Sequence, residues 1–222
     1  MTGGRKRVAI LISGRGSNMA SLIEAAGDPA FPAEIALVLA NRPGAAGLEH
    51  ARAFGIEAEA IDHKAFADRA TFDAALDARL RAADIDIVCL AGFMRLLTPA
   101  FVENWRDRMI NIHPSLLPLF AGLDTHRRAI AAGMLVAGCT VHFVRAAMDD
   151  GPIIGQAAVP VLPGDSPGTL AARVLEAEHR LYPLALELVA KGLVRVEGDR
   201  LTVDSALVFD ASSMLISPAP RH

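Results

Sequence analysis

Cysteine is scarce: the 222 residues hold two, Cys89 and Cys139, each inside an apolar, strand-like run. That excludes a disulfide framework. With no C-x-x-C or H-E-x-x-H spacing there is also no zinc signature, so both read as reduced core residues of a cytoplasmic protein, and no metal is expected. A surplus of positive charge is missing too. With 22 Lys and Arg against 25 Asp and Glu, the net charge of −3 leaves no electrostatic footprint for nucleic acid or an anionic membrane. Small molecules are the expected partners. No apolar stretch approaches the ~18 residues of a spanning helix, and Val8 to Ile12 after "MTGGRKR" is too short for a signal-peptide core. Repeats, low-complexity blocks and linkers are absent as well. One compact, soluble, untargeted unit is expected.

What is present is an alternation. Short aliphatic runs ("RVAILIS", "EIALVLA", "EAEAID", "DIVCLAG", "MINIH") are separated by Ala-rich stretches at 17–27, 44–54 and 66–82, then by a short turn before "MINIH". Strands apolar on both faces, alternating with helices, indicate βαβ units and a parallel sheet covered on both sides. After a helical stretch near 124–133, "CTVHFVR" and "PIIGQAAVPV" are joined by only "AAMDDG", a link that suits antiparallel neighbours. The expected fold class is therefore α/β: Rossmann-like, doubly wound, a mostly parallel but mixed sheet with helices on both faces. Ser166 and Pro167 open a long helix to about Lys191, with Pro183 as an expected kink. A hairpin "LVRVEGDRLTV" and a tail "SPAPRH" finish the chain.

Four stretches carry polar groups that such a sheet does not need. "SGRGSN", residues 13–18, joins the first strand to the first helix. Its glycines let backbone approach an anion and the helix N-terminus supplies free N–H groups, so it reads as a phosphate cradle, or else as a tight turn capped by Ser17 or Asn18. It matches neither GxxxxGK[ST] nor GxGxxG, and "LANRPG" offers no carboxylate for a dinucleotide ribose, which disfavours a nicotinamide cofactor. In "NIHPSLLP" strand alternation puts Asn111 and His113 on one face and Ile110 and Ile112 on the other. The pair ends a parallel strand, where ligands bind in open α/β sheets, as do Gly14 and "AGFMR". A structural hydrogen bond is the plain reading of His113. Asp149 and Asp150 precede a Gly-Pro turn and are either solvated or, for one of them, the partner of a histidine. Glu178 falls four residues after Val174 and three before Leu181, on an apolar helix face, and so forms a salt bridge or meets a ligand hydroxyl. Thr140 and His142 alternate along one strand and can back the site; His50, His63 and His222 are expected in solvent. Arg69 and Arg95 either meet an anion or lie on the surface.

Taken together and in order, "ISGRGSN", "LAGFMRLLTPAFV", "NIHPSLLP", "GLDTH" and "GCTVHFVRAAMDDGPII" resemble the phosphoribosylglycinamide formyltransferase family, folate-dependent formyltransferases of purine synthesis and one-carbon metabolism. The likeness covers about residues 7 to 195. It implies a catalytic trio at Asn111, His113 and Asp149, with Asn111 and His113 addressing one formyl oxygen. It implies that Gly16, Ser17 and Asn18 hold the phosphate of glycinamide ribonucleotide and that Glu178 holds its ribose. It further implies that 10-formyltetrahydrofolate, the co-substrate, lies along Met94, Arg95 and Leu97 beside Asn111, with Arg69 near the glutamate tail. On this basis 1–222 is one formyltransferase domain: a nucleotide-phosphate half to about 105, a folate and catalytic half at about 106–204, and a tail at 205–222. A monomer or homodimer is expected. Asp150, Leu119 and Ala146 depart from residues common in the family. A deformylase shares the trio but usually carries a domain before its "SGRGSN"-like segment, methionyl-tRNA formyltransferase usually adds a C-terminal RNA-binding domain, and a phosphate-binding module without activity leaves the trio unexplained.

Overall fold

The computed structural model describes residues 4–205, 207 and 217. Seven strands, β1 (Lys6–Ile12), β2 (Ala33–Ala40), β3 (Glu57–Ala60), β4 (Ile87–Leu90), β5 (Met109–His113), β6 (Val136–Phe143) and β7 (Ile153–Pro160), form one sheet in the order β3-β2-β1-β4-β5-β6-β7. The pairings from β3 across to β5 are parallel, and those of β5 with β6 and β6 with β7 are antiparallel. The mixed, doubly wound sheet expected from the sequence is what forms. Its order reverses between β1 and β4, the place where an open α/β sheet leaves a crevice.

Side-chain alternation divides the core in two. Val8, Ile10 and Ile12 of β1 pack into one layer with Leu22 of α1 (Ser17–Ala26), Leu48 of α2 (Gly47–Ala53), Ala129 of α5 (Thr125–Ala131) and Val174 of α6 (Pro167–Ala190). Ala9 and Leu11 pack into the other, with Phe72, Leu76 and Leu80 of α3 (Arg69–Ala82) and Phe101 of α4 (Pro99–Asn104). Phe72, Leu76 and Leu80 recur every four residues, the apolar stripe of a surface helix. Each such side chain, fully buried, contributes roughly 1.5–3 kcal/mol.

Local signals explain where the helices start. Ser166 accepts from the Thr169 N–H in a capping box, with Pro167 at the first helical position of α6. Pro183 lies inside α6, which continues to Ala190 although one backbone donor is missing. Helix α4 corrects the sequence reading, which has only a turn between β4 and β5: Thr98 caps it and Pro99 opens it, but six residues are too few for a period to show. The stretch expected helical from 66 starts at Arg69, where Asp68 and Thr71 form a capping box, and the helices near 44–54 and 124–133 are shorter, at 47–53 and 125–131. Strands β8 (Val194–Glu197) and β9 (Arg200–Val203) form the expected hairpin. His222 and most of the tail lie outside the described residues. Among those described, no helix is long and apolar enough to cross a membrane, and no cluster of His, Cys, Asp and Glu could hold a metal ion.

Candidate active site

Strand β5 alternates as its sequence requires. Ile110 and Ile112 belong to the α1/α6 layer and Met109 to the α3/α4 layer, which puts Asn111 and His113 on the latter side. Antiparallel β6 sets His142 opposite Asn111 and Thr140 opposite His113, so four polar side chains share one face. The Asn111 Nδ2 donates to His142 Nε2 at 3.2 Å. His142 donates its Nδ1–H to the Phe143 carbonyl at 2.9 Å, which leaves Nε2 as the acceptor. Burial holds the His142 pKa below the ordinary histidine value; the Phe143 carbonyl and Asp149 oppose the shift, and the nearby His113 adds to it. His142 is thus a neutral prop that orients the Asn111 amide, whose second N–H hydrogen is left for another acceptor.

His113 is buried at the end of β5 with both ring nitrogens facing oxygen. Its Nε2 lies 3.1 Å from the Phe120 carbonyl, which can only accept, so Nε2 carries a hydrogen. Its Nδ1 lies 3.4 Å from Asp149 Oδ2. The same carboxylate accepts from the Gly122 N–H at 2.8 Å and places Oδ1 3.9 Å from His142 Nε2. Asp149 is 11 % exposed in its side chain, whereas Asp150 is exposed. Asp149 adopts a left-handed backbone (φ 54°), which is sterically unfavourable but tolerated by Asp better than by most residues.

The path of the chain accounts for this strain. Strand β6 ends at Phe143, and Val144 N–H bonds the Met109 carbonyl at the beginning of β5. The connection 144–152 therefore has to double back over the sheet to bring Asp149 to His113 at the other end of β5. Arg145 pins its start by donating to Asp107 at 2.6 Å. The site thus extends from the strand ends onto the sheet face.

The polar loop after His113 is accounted for by buried hydrogen bonds. Thr140 Oγ1 donates to the Ser115 carbonyl at 2.7 Å and accepts from the Leu117 N–H at 3.0 Å. Gln156 Nε2 donates to the Leu117 carbonyl at 2.9 Å, and Ser115 Oγ to the Leu119 carbonyl at 2.6 Å. The Leu117–Pro118 peptide is cis. Thr140, expected behind the site, holds this loop.

At the first crevice loop, Gly16 rather than Ser17 or Asn18 takes the N-cap position of α1. Its φ is 73° and no side chain caps this end, so the first N–H groups of α1 are left for an anion, with the helix dipole behind them. Gly47 supports the turn from behind: its N–H bonds the Gly14 carbonyl at 3.0 Å, and a Cβ there would lie 2.5 Å from Ile12. Among the described residues Glu178 forms no salt bridge; its Oε2 accepts from Asn18 Nδ2 at 2.6 Å. Burial raises its pKa, and the Asn18 bond opposes this. The Asn18 Oδ1 is buried without a partner among the described residues.

After β4, Met94 and Leu96 point outward, while Leu97 packs on the α3/α4 core. Arg95 places its guanidinium 4.9 Å from the centre of the Phe72 ring, with Nε buried and unpartnered among the described residues. Arg69 stands exposed on the first turn of α3, and no described contact ties it to the trio. His50 is exposed as expected. His63 is not: it is half-buried, with Nδ1 2.7 Å from the Asn41 carbonyl. The sequence reading gave no role to His126. Its Nε2 is buried and, among the described residues, unpartnered beside a cavity of about 10 Å³, and burial and the neighbouring His113 both lower its pKa. The signal available was a histidine three residues before Ala129, on the buried side of α5. Cys89 and Cys139 are buried free thiols, and burial raises both to about 12.

The fold is Rossmann-like, a mostly parallel but mixed sheet with helices on its faces. The chain belongs to the formyl transferase family, whose model matches residues 6–186. It is 50% identical over 192 residues to the human trifunctional purine biosynthetic protein adenosine-3, covering 86% of this chain but only 19% of that protein. It is 41% identical to phosphoribosylglycinamide formyltransferase of Escherichia coli (strain K12), covering 89% of this chain and 93% of that one. Among solved structures, glycinamide ribonucleotide transformylase 1 of Symbiobacterium toebii superposes with a TM-score of 0.89 at 46% identity, over 92% of this chain and 96% of that one. Phosphoribosylglycinamide formyltransferase of Brucella melitensis gives 0.82 at 56% identity, over 86% and 98%.

Proposed function

We propose that the protein transfers the formyl group of 10-formyltetrahydrofolate to the amine of glycinamide ribonucleotide, a step of purine synthesis. The observation that carries the reading is the Asp149 carboxylate lying between His113 and His142, with the Asn111 amide on the same face. That set supplies donors for an oxygen gaining negative charge and a base beside them.

The co-substrate supplies an activated formyl carbon. The protein's part is to position and stabilise. Asn111, oriented by neutral His142, offers its second amide hydrogen to the formyl oxygen. His113 offers the Nε2–H now given to the Phe120 carbonyl. Asp149 holds the His113 ring from Nδ1 and accepts the proton that the attacking amine must lose, passing it through water to the leaving nitrogen. The phosphate sits on Gly16, Ser17 and Asn18, and the ribose hydroxyls meet Glu178 and the unpartnered Asn18 Oδ1. The folate lies along Met94, Arg95 and Leu97 beside Asn111, with Arg69 toward its glutamate tail; this segment lends the first half of the domain to the folate side.

Consumption of 10-formyltetrahydrofolate with and without glycinamide ribonucleotide tests the reading. It should be negligible alone and rapid with the acceptor, one formyl reaching the ribonucleotide per folate spent. Holding the amine in place removes as much as ~7–11 kcal/mol of the barrier, an advantage that loosely held water lacks. Rapid consumption without acceptor, with formate as product, would identify a deformylase instead.

A further inference from the structure

The segment 92–98, between β4 and α4, is held at both ends by buried side chains outside the proposed trio. At its start, the Ser13 N–H donates to the Gly92 carbonyl at 3.2 Å and the Met94 N–H donates back to Ser13 Oγ at 2.7 Å. Ser13 is buried and opens the β1–α1 turn that leads to Gly16. At its end, the Thr98 N–H donates to Asp73 Oδ2 at 2.6 Å. Asp73 is 3 % exposed, and its Oδ1 is buried with no partner among the described residues. A carboxylate with one oxygen unsatisfied in a core is costly. An apolar residue beside Phe72 would serve packing better, so the carboxylate's contribution lies in the backbone it holds.

We infer that Ser13 and Asp73 are positioning residues that fix the 92–98 backbone in one conformation for the folate and tie it to the turn that carries the ribonucleotide phosphate. The inference rests on the function proposed above. Met94, Arg95 and Leu97 all lie between the two anchors. A segment without regular structure loses conformational freedom when a ligand must order it, and anchors that order it beforehand remove that cost from binding. Releasing either anchor should therefore weaken folate binding and leave the chemistry, which Asn111, His113 and Asp149 perform, near its original rate.

Steady-state kinetics with each substrate varied, and calorimetry with tetrahydrofolate and with glycinamide ribonucleotide separately, test this on S13A, D73A and D73N. S13A and D73A should each raise the folate KM and the tetrahydrofolate Kd by about tenfold, the upper range for one hydrogen bond. The kcat should stay within about twofold in both, and in D73A, whose anchor lies away from the phosphate turn, so should the ribonucleotide KM. D73N keeps an oxygen for the Thr98 N–H, so it should restore folate binding to within about twofold of wild type. An unchanged folate KM in either variant, an equal rise in both KM values in D73A, or D73N failing as D73A does would overturn the inference. If the wild type transfers no formyl group, the proposed function falls, and the calorimetric split between the two ligands still decides on the anchors.

Discussion

Replacing Asp149 with Asn probes the site at its most constrained point. The exchange preserves shape: the new side-chain oxygen can still accept from Gly122, now 2.8 Å away. What disappears is a negative charge 3.4 Å from His113 Nδ1. For an imidazolium at His113, as the transition state of the proposed reaction would favour, an effective dielectric of about 20 gives an attraction of about 5 kcal/mol at that distance. The site is largely closed to water, with side-chain exposures of 8 % for His113 and 11 % for Asp149, so screening removes only part of this. Water and the remaining amide dipole recover some of the rest. A net loss of about 3–4 kcal/mol in the transition state corresponds to a fall in kcat of ~10²–10³, comparable with losing one oxyanion donor. D150N is the control, because Asp150 is exposed and its charge is screened. It should retain turnover within about threefold. Stopped-flow single-turnover measurement isolates the chemical step from product release. Equal losses in the two variants, or a D149N enzyme of near-normal rate, would refute the assignment of Asp149.

Three further outcomes are expected. His113→Ala should keep a wild-type circular dichroism spectrum and lose at least ~100-fold in kcat; near-normal turnover would show that the ring is only a structural partner of Phe120. Gly16→Val should lower stability by about 1–2 kcal/mol, because φ 73° suits glycine and a Cβ would come within 3.0 Å of Met19. Calorimetry should show it weakening ribonucleotide binding far more than folate binding, and equal weakening would count against the cradle. Glu178→Gln tests linkage. Burial raises the Glu178 pKa in the folded state, so the native protein binds more protons than the unfolded chain, and stability falls as pH rises from the ordinary Glu range through the raised value. The neutral variant lacks that loss: its Tm relative to wild type should improve from pH 4 to pH 7 while ribonucleotide affinity drops, and a pH-independent difference would contradict the sign.

The parallel strands were legible because burial on both faces leaves near-continuous apolar runs such as "VAILI". Asn111, His113, Thr140 and His142 were legible for a related reason: period-two alternation leaves polar side chains on a strand only where something meets them. Features set by the path of a loop left no such trace. Nothing in "AAMDDG" says that the connection doubles back across β5, nor that Arg95 turns onto Phe72 and away from solvent. The pairing of Asp73 with the Thr98 N–H joins a side chain to a backbone group, and any residue other than proline at 98 would offer the same donor. Helix α4 was missed for want of length, and Gly16 was passed over as the cap because a left-handed backbone is a property of the turn rather than of a residue pattern.

The Asn18–Glu178 hydrogen bond also bears on the order in which the molecule assembles. Its partners stand 160 residues apart in the chain, whereas Asn111 and His142 are separated by 31 and Gly122 and Asp149 by 27. Closing the longer loop costs more chain entropy, by roughly 0.6 kcal/mol per doubling in length, and contacts of high sequence separation are the slow ones to form. The Asn111–His142 and Gly122–Asp149 contacts can therefore condense from a local stretch of chain, while the Asn18–Glu178 bond is made only when α6 docks against α1 and the two ends of the domain meet. On the function proposed above, the groups assigned to proton transfer would meet before the groups assigned to the ribose do.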